Sequence, residues 1–368
     1  MLSMEGNANW GAKIVEEKDG YRIYRPSKYF RWLKLFTSTW LLSKVFDFAS
    51  FAKDSPKTFA GIVASANYVK QLVVQNNISI VSAYHVLSAG LASALVCREL
   101  SIPLVTSVFG EIYAQPEFHS KRLAEVKCVI DVSKKLLSCS KHCALSYELL
   151  DLHPEVEAVY YGIDTQMFSP DKSPEIVRKK LGIGIKDKVI LFIGRLVKEM
   201  GLLVLLDAIP KVLAEIENTK FVIVGKSGEL LPGARDLSSR YPKNVFVIVD
   251  APFEELPFYY AAATLAVIPS INERACLGLA IAEAMATGKP AIVSNIGGGP
   301  EVIVNGKTGS LIPPNDSEAL AIEICRVLAT GEDVLKEMGR LSRERAVSIF
   351  DKETTNRRME EIFEKALT

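Results

Sequence analysis

Nowhere among the 368 residues is there an apolar run of about 18, so no segment reads as a membrane-spanning helix. No basic stretch followed by an apolar one opens the chain, and a secretory signal is not expected. Charge of one sign is equally lacking: 44 Lys+Arg against 43 Asp+Glu leave a formal net charge of +1, which gives no reason to expect nucleic acid as a partner. Cysteine is sparse, with six residues at positions 97, 128, 139, 143, 276 and 325. That is too few and too scattered for a disulfide framework, so the cysteines read as small buried residues of a protein in a reducing, cytoplasmic compartment. Cys139 and Cys143 flank His142, but two thiols and one imidazole without a second Cys/His cluster make a poor zinc site, and no metal is expected.

What is present is a globular composition, 49% hydrophobic and 24% charged, in a chain long enough for two domains. Gly20 lies between EEKD and the alternating YRIYR, the mark of a hairpin turn into a strand. From Arg22 to Lys57 there are eight Lys/Arg against two Asp, interleaved with Tyr29, Phe30, Trp32, Leu33, Phe36 and Trp40. Basic and aromatic side chains at helical spacing suit either an amphipathic helix packed on its own domain or one lying among lipid headgroups. Helical and strand patterns then alternate. Phe59–Val74, Ala89–Leu100, Lys121–Val132 and His142–Leu150 read as helices; Ile78–Val81, Pro103–Thr106, Leu136–Cys139 and Ala158–Tyr160 read as strands. Such βα alternation implies a parallel sheet with helices on both faces. Pro170 and Pro174 with polar neighbours mark a boundary, and a second βα series begins with the strand Val189–Ile193.

The stretch from Pro269 to Glu301, PSINERACLGLAIAEAMATGKPAIVSNIGGGPE, carries the chemistry. A strand ends at Ile268, an irregular loop follows, and a helix starts near Gly278 and stops at Gly288, which lacks the Cβ that disfavours a left-handed helix end. After the strand Ala291–Ser294 comes Gly297-Gly298-Gly299 with Pro300 opening a short helix. Two glycine-containing loops thus run into helix N-termini, whose unpaired N–H groups suit a diphosphate. Glu283, inside the first helix, offers a carboxylate to ribose hydroxyls.

PSINERACLGLAIAEAMATGKP followed by SNIGGGPEVI resembles the donor-site signature of family 4 of retaining glycosyltransferases. FIGRLVKEMGLLVLLDAI, FVIVGKSGE, PFEELPFYYAAATLAVIPS and NGKTGSLIPPND fall in that family's order, and YYGIDTQMFSPDKSP resembles its linker. The resemblance implies the α/β GT-B fold, two Rossmann-like doubly wound domains facing across a cleft. It places an acceptor-side domain at residues 1–165 without the first strand and Gly-rich loop usual there. A nucleotide-sugar domain follows at 166–350, then a helix at 351–368 crossing back to the first domain. It further implies a cytoplasmic enzyme, with peripheral membrane contact if residues 22–57 lie on lipid. A UDP-, GDP- or ADP-sugar would be the donor and a glycan or lipid-linked molecule the acceptor, with no further cofactor. Asp-x-Asp, by which another glycosyltransferase fold holds a metal on the donor diphosphate, is absent.

Carried over position by position, Arg195 and Glu273 are the catalytic candidates. Arg195, Lys198, Gly278, Leu279, Glu283 and Gly298 would bind the donor, and His85, Phe109 and Gly110 the acceptor side. Three positions depart from the family's pattern. Met200 stands where G-R-x-x-x-x-K-G has its Lys, Ala275 where the first of two paired glutamates falls, and Phe109 where His usually precedes Gly110. These departures motivate a second expectation, a catalytically impaired relative that binds a nucleotide sugar or a partner transferase.

Overall fold

The computed structural model describes residues 56–368 and the backbone of 15–18 and 21–24. Val15–Lys18 (β1) and Tyr21–Tyr24 (β2) pair antiparallel, with Lys18 opposite Tyr21, the pairing expected on either side of Gly20. The basic, aromatic stretch at 22–57 falls almost entirely outside the described residues. The chain divides into two compact units: Met1–Ser138 with Ala144–Glu157 and Glu360–Thr368, and Cys139–Cys143 with Ala158–Met359.

In the first unit, helix α1 (Pro56–Gln75) is followed by β3 (Val81–Tyr84), α2 (Leu91–Leu100), β4 (Leu104–Val108), α3 (Leu123–Val132), β5 (Ser133–Ser138) and β6 (Val156–Ala158). The strands lie in the order β3-β4-β5-β6, with β3, β4 and β5 parallel. β4 is buried along its whole length, as a central strand covered on both faces must be. The strand expected at 78–81 begins only at Val81. Ile78 is used to close α1, donating its N–H to the Val73 carbonyl across Asn77, which takes a positive φ of 50°. The helix expected from Ala89 begins at Leu91, because His85–Gly90 forms a π-helical turn, and the one expected from His142 is broken into a helical turn at Lys141–Ala144 and a 3₁₀ turn at Leu145–Leu150.

The second unit runs α4 (Glu175–Leu181), β7 (Lys188–Ile193), α5 (Leu202–Glu215), β8 (Thr219–Gly225), α6 (Leu231–Arg240), β9 (Val245–Val249), α7 (Leu256–Ala262), β10 (Leu265–Ile268) and α8 (Leu279–Ala286). β11 (Ala291–Ser294), β12 (Gly309–Ile312), α9 (Ser317–Ala329), α10 (Glu332–Phe350) and α11 (Lys352–Leu367) complete it, the last residues of α11 counting with the first unit. Its six strands are all parallel in the order β12-β11-β10-β7-β8-β9. Alternate residues feed two cores: Val189 and Leu191 join α7, α8 and Phe350 on one face, while Ile190 and Phe192 join α5 and α9 on the other. α8 ends where the sequence predicts. Gly288 has φ 70°, its N–H bonds Met285 O and that of Lys289 bonds Ala284 O, so the last carbonyls are satisfied.

Candidate functional site

The strand order of the second unit reverses between β7 and β10. The helices that follow them, α5 and α8, lie on opposite faces of the sheet, so the two connecting loops diverge and leave a crevice at the carboxyl ends of the strands. In open parallel sheets this is where ligands bind. The two loops are residues 194–201 and 269–278, which between them hold Arg195, Lys198, Glu273 and Gly278.

In the first loop, Gly194 N–H bonds Val224 O and Leu196 N–H bonds Lys226 O, and the Leu196 side chain is fully buried. Anchored through that leucine, the loop leaves Arg195 and Lys198 exposed on either side of it. Met200 is half-buried and packs against the core that contains β7 and α5. Gly201 has φ 72°, and a Cβ there would lie 1.6 Å from Pro269 O. This bare backbone is what lets the two loops touch.

The second loop passes Glu273, which is exposed, and enters α8 through Gly278 in an extended conformation with no side-chain cap. Leu279 in the first turn is 44% exposed, so this N-terminus faces outward. The triple-glycine turn lies against the same loop. A Cβ on Gly297 would fall 1.8 Å from Ala275 O and one on Gly298 1.7 Å from Cys276 O, so these glycines are required by close approach. Gly298 is therefore placed differently from its expected role: it is buried and its N–H is already bonded to Ala275 O at 2.9 Å. Glu283 also points inward. It is 7% exposed, its Oε2 accepts from Tyr260 Oη at 2.8 Å, and burial raises its pKa. The same burial, with the neighbouring carboxylate, pushes the Tyr260 hydroxyl well above its ordinary value.

The reading of all six cysteines as buried thiols fails at two points. Cys143 and Cys276, 133 positions apart, are joined in a disulfide, and Cys276 and Cys325 are only half-buried. Nothing in the spacing signalled the pair, because one sulfur comes from the turn at Lys141–Ala144 and the other from the loop at 269–278. The segment Cys139–Cys143 is held against the crevice loops by Glu301, whose carboxylate accepts from Lys141 N–H (2.9 Å), His142 N–H (2.6 Å) and Tyr160 Oη (2.9 Å). Burial, then the bond to Glu301, takes the Tyr160 hydroxyl to about 12. His142 Nε2 lies 2.7 Å from Glu273 O, so the loop carrying Glu273 is tethered twice. Glu301 was visible in the sequence only as part of the glycine-rich signature.

In the first unit the three expected residues do come together, around a fourth that the sequence left unremarked. Glu111 Oε2 accepts from Phe109 N–H at 2.7 Å and lies 3.4 Å from His85 Nδ1, and its Oε1 accepts from Val86 N–H at 3.1 Å. Gly110 joins Phe109 to Glu111. The Phe109 ring meets His85 edge-on at 5.3 Å and stacks on Tyr84 at 5.7 Å. His85 itself has φ 72°, an uncommon conformation for a residue with a side chain, and its imidazole is 52% exposed. The hydrogen bond to Glu111 raises the His85 pKa against the opposing effect of burial. For Glu111 burial favours the neutral acid, but the bonds to His85 and to backbone N–H groups outweigh it and its pKa is lowered. Among the described residues no helix is long and apolar enough to cross a membrane.

Residues 174–345 match the glycosyl transferases group 1 family. A D-inositol 3-phosphate glycosyltransferase of Corynebacterium efficiens is 28% identical over 227 residues, 59% of this chain and 53% of that protein. An uncharacterized glycosyltransferase of Methanocaldococcus jannaschii is 35% identical over 182 residues, 48% of this chain and 45% of that one. The chain thus spans about half the length of the curated relatives it matches. Anabaena HepE, solved with UDP and also with UDP-glucose, superposes with a TM-score of 0.71 at 19% identity over 82% of each chain, a likeness of GT-B fold.

Proposed function

Because residues 174–345 belong to the glycosyl transferases group 1 family, we propose that the chain transfers a sugar from a nucleotide-sugar donor to a hydroxyl of a glycan or lipid-linked acceptor. The observation that carries this is the crevice at the strand-order reversal, where the loop bearing Arg195 and Lys198 touches, through Gly201 and Pro269, the loop that leads into the uncapped N-terminus of α8. In the reaction the acceptor oxygen bonds to the anomeric carbon as the bond from that carbon to the diphosphate oxygen breaks. The electron pair stays with the leaving diphosphate. Arg195, Lys198 and the N–H groups at Gly278 and Leu279 face that growing negative charge. Such preorganised donors act on the transition state more than on the ground state. With configuration retained, as the family resemblance implies, the leaving oxygen takes the acceptor's proton, and no protein base is needed.

The donor is a UDP-, GDP- or ADP-sugar, and the likeness to a protein solved with UDP and UDP-glucose supports trying uridine first. One observation favours a second reading, a nucleotide-sugar-binding protein without turnover. Met200, at the family's Lys position, is an uncharged side chain half-buried against the core and leaves the crevice one cation short.

The test is nucleotide release from UDP-, GDP- and ADP-glucose, with and without glycan and lipid extracts. For an enzyme, release depends on an acceptor fraction, and Arg195→Ala lowers it about 10²- to 10³-fold, the usual effect of losing one such donor. Donor binding with no release under any condition gives the second reading instead.

A further inference from the structure

The three sulfurs gathered beside the crevice loops form a chemical unit of their own. The Sγ atoms of Cys139, Cys143 and Cys276 lie within 4.8 Å of one another, and Cys139 Sγ is 3.9 Å from Cys143 Sγ. Two of the three are joined as Cys143–Cys276, with Cα atoms 5.7 Å apart, and Cys139 lies outside that bond. Cys139 and Cys143 are 2% and 0% exposed, and Cys276 is half-buried. A thiol at van der Waals distance from one sulfur of a disulfide can attack it once a side-chain rotation brings the three sulfurs into line. Here Cys139 Sγ lies beside the Cys143–Cys276 bond, within 4.8 Å of both its sulfurs, so that rotation is part of the step.

We propose that Cys139, Cys143 and Cys276 constitute a thiol–disulfide exchange site in which Cys139 resolves the Cys143–Cys276 bond. The Cys139 thiolate attacks Cys143 Sγ, a Cys139–Cys143 disulfide forms, and Cys276 leaves as the thiolate. The proton lost by Cys139 ends on Cys276, so one disulfide replaces another without net oxidation and no outside oxidant or reductant takes part. The two cysteines that pair in the second form are four residues apart, Cys139 just before the turn at Lys141–Ala144 and Cys143 within it, and Glu301 holds that turn in place. The same cluster is less suited to a metal. It offers three sulfurs where a structural thiolate site uses four ligands, two of the three are bonded to each other, and the adjacent His142 imidazole is engaged at Glu273 O.

Exchange removes one of the two tethers on residues 273–276 and leaves the His142 contact. The consequence for the donor, a loosened loop at the crevice, rests on the function proposed above; the exchange itself does not.

The experiment uses the full chain purified without reductant and reads no sugar transfer, so its failure is separate from failure of the glycosyltransferase reading. Native protein is exposed to a maleimide over a time course, then unfolded, digested without reduction and mapped by mass spectrometry. At the outset the Cys143–Cys276 peptide pair is expected. With time, label accumulates on Cys276 as the Cys139–Cys143 pair appears, and in Cys139→Ser this labelling slows about tenfold or more because the attacking thiol is gone. Cys139→Ala serves if the serine variant melts early. The proposal is overturned if all three cysteines alkylate in unfolded protein without any disulfide, if Cys276 labels as fast in Cys139→Ser as in wild type, or if elemental analysis finds one zinc or other transition metal per chain.

Discussion

Glu111 is the residue whose role is least visible in the sequence and plainest in the structure. Its carboxylate joins two backbone N–H groups to the His85 imidazole, holding the first-unit site together from three directions. Because the folded imidazole has a raised pKa, its contribution to stability is complete below its ordinary value near 6.5 and is lost as pH rises through the raised one. In Glu111→Gln the His85 pKa should fall toward its ordinary value in an NMR titration, and the difference in melting temperature from wild type should shrink on going from pH 6 to pH 9. His85, Phe109 and Gly110 could be picked out by resemblance, since they sit at strand ends in the right order. Glu111 could not, because a glutamate after a glycine looks like any helix-opening acid until the chain folds and His85, 26 positions earlier, arrives beside it. The Cys143–Cys276 bond was illegible for the same reason, and so was the inward turn of Glu283 toward Tyr260.

At the scale of elements, legibility followed local periodicity. β11 has the expected limits, and Gly288 ends α8, because apolar alternation and a glycine stop are local signals. The misplaced boundaries at Val81 and Leu91 arise where a helix cap or a π-helical turn consumes residues whose apolar character suggested a strand or a helix. The loops were legible as loops, but the sequence did not show that Gly201, Gly297 and Gly298 are points of close backbone contact. Gly201 allows a direct test. Gly201→Ala adds a side chain both to a positive φ and to a 1.6 Å clash with Pro269 O, whereas Gly306, at φ 77°, has open space around it. Urea unfolding should show a loss of about 2 to 5 kcal/mol for Gly201→Ala, where strain and overpacking add. For Gly306→Ala the loss should be about 1 kcal/mol, from strain alone.

For the molecule as a whole, each unit has its own hydrophobic core, one between the helices and sheet of the first and a pair on the two faces of the sheet in the second. Scanning calorimetry should therefore resolve two transitions, and a donor nucleotide held by the second unit should raise only that unit's, by about 2.7 kcal/mol of stability at a hundredfold excess over Kd. The α/β alternation that implied two doubly wound sheets was legible because it recurs along most of the chain. The crevice loops themselves contribute few side chains to any core, chiefly Leu196 and Leu277. Heredity can then edit the working surface without rewriting the scaffold. A library randomised at 195, 198, 273 and 274 should yield mostly folded, protease-resistant variants with altered donor preference, whereas one randomised at 189–192 should yield mostly insoluble protein. On the function proposed above, a lineage built this way explores new sugars by drift at a handful of codons while its architecture stands still.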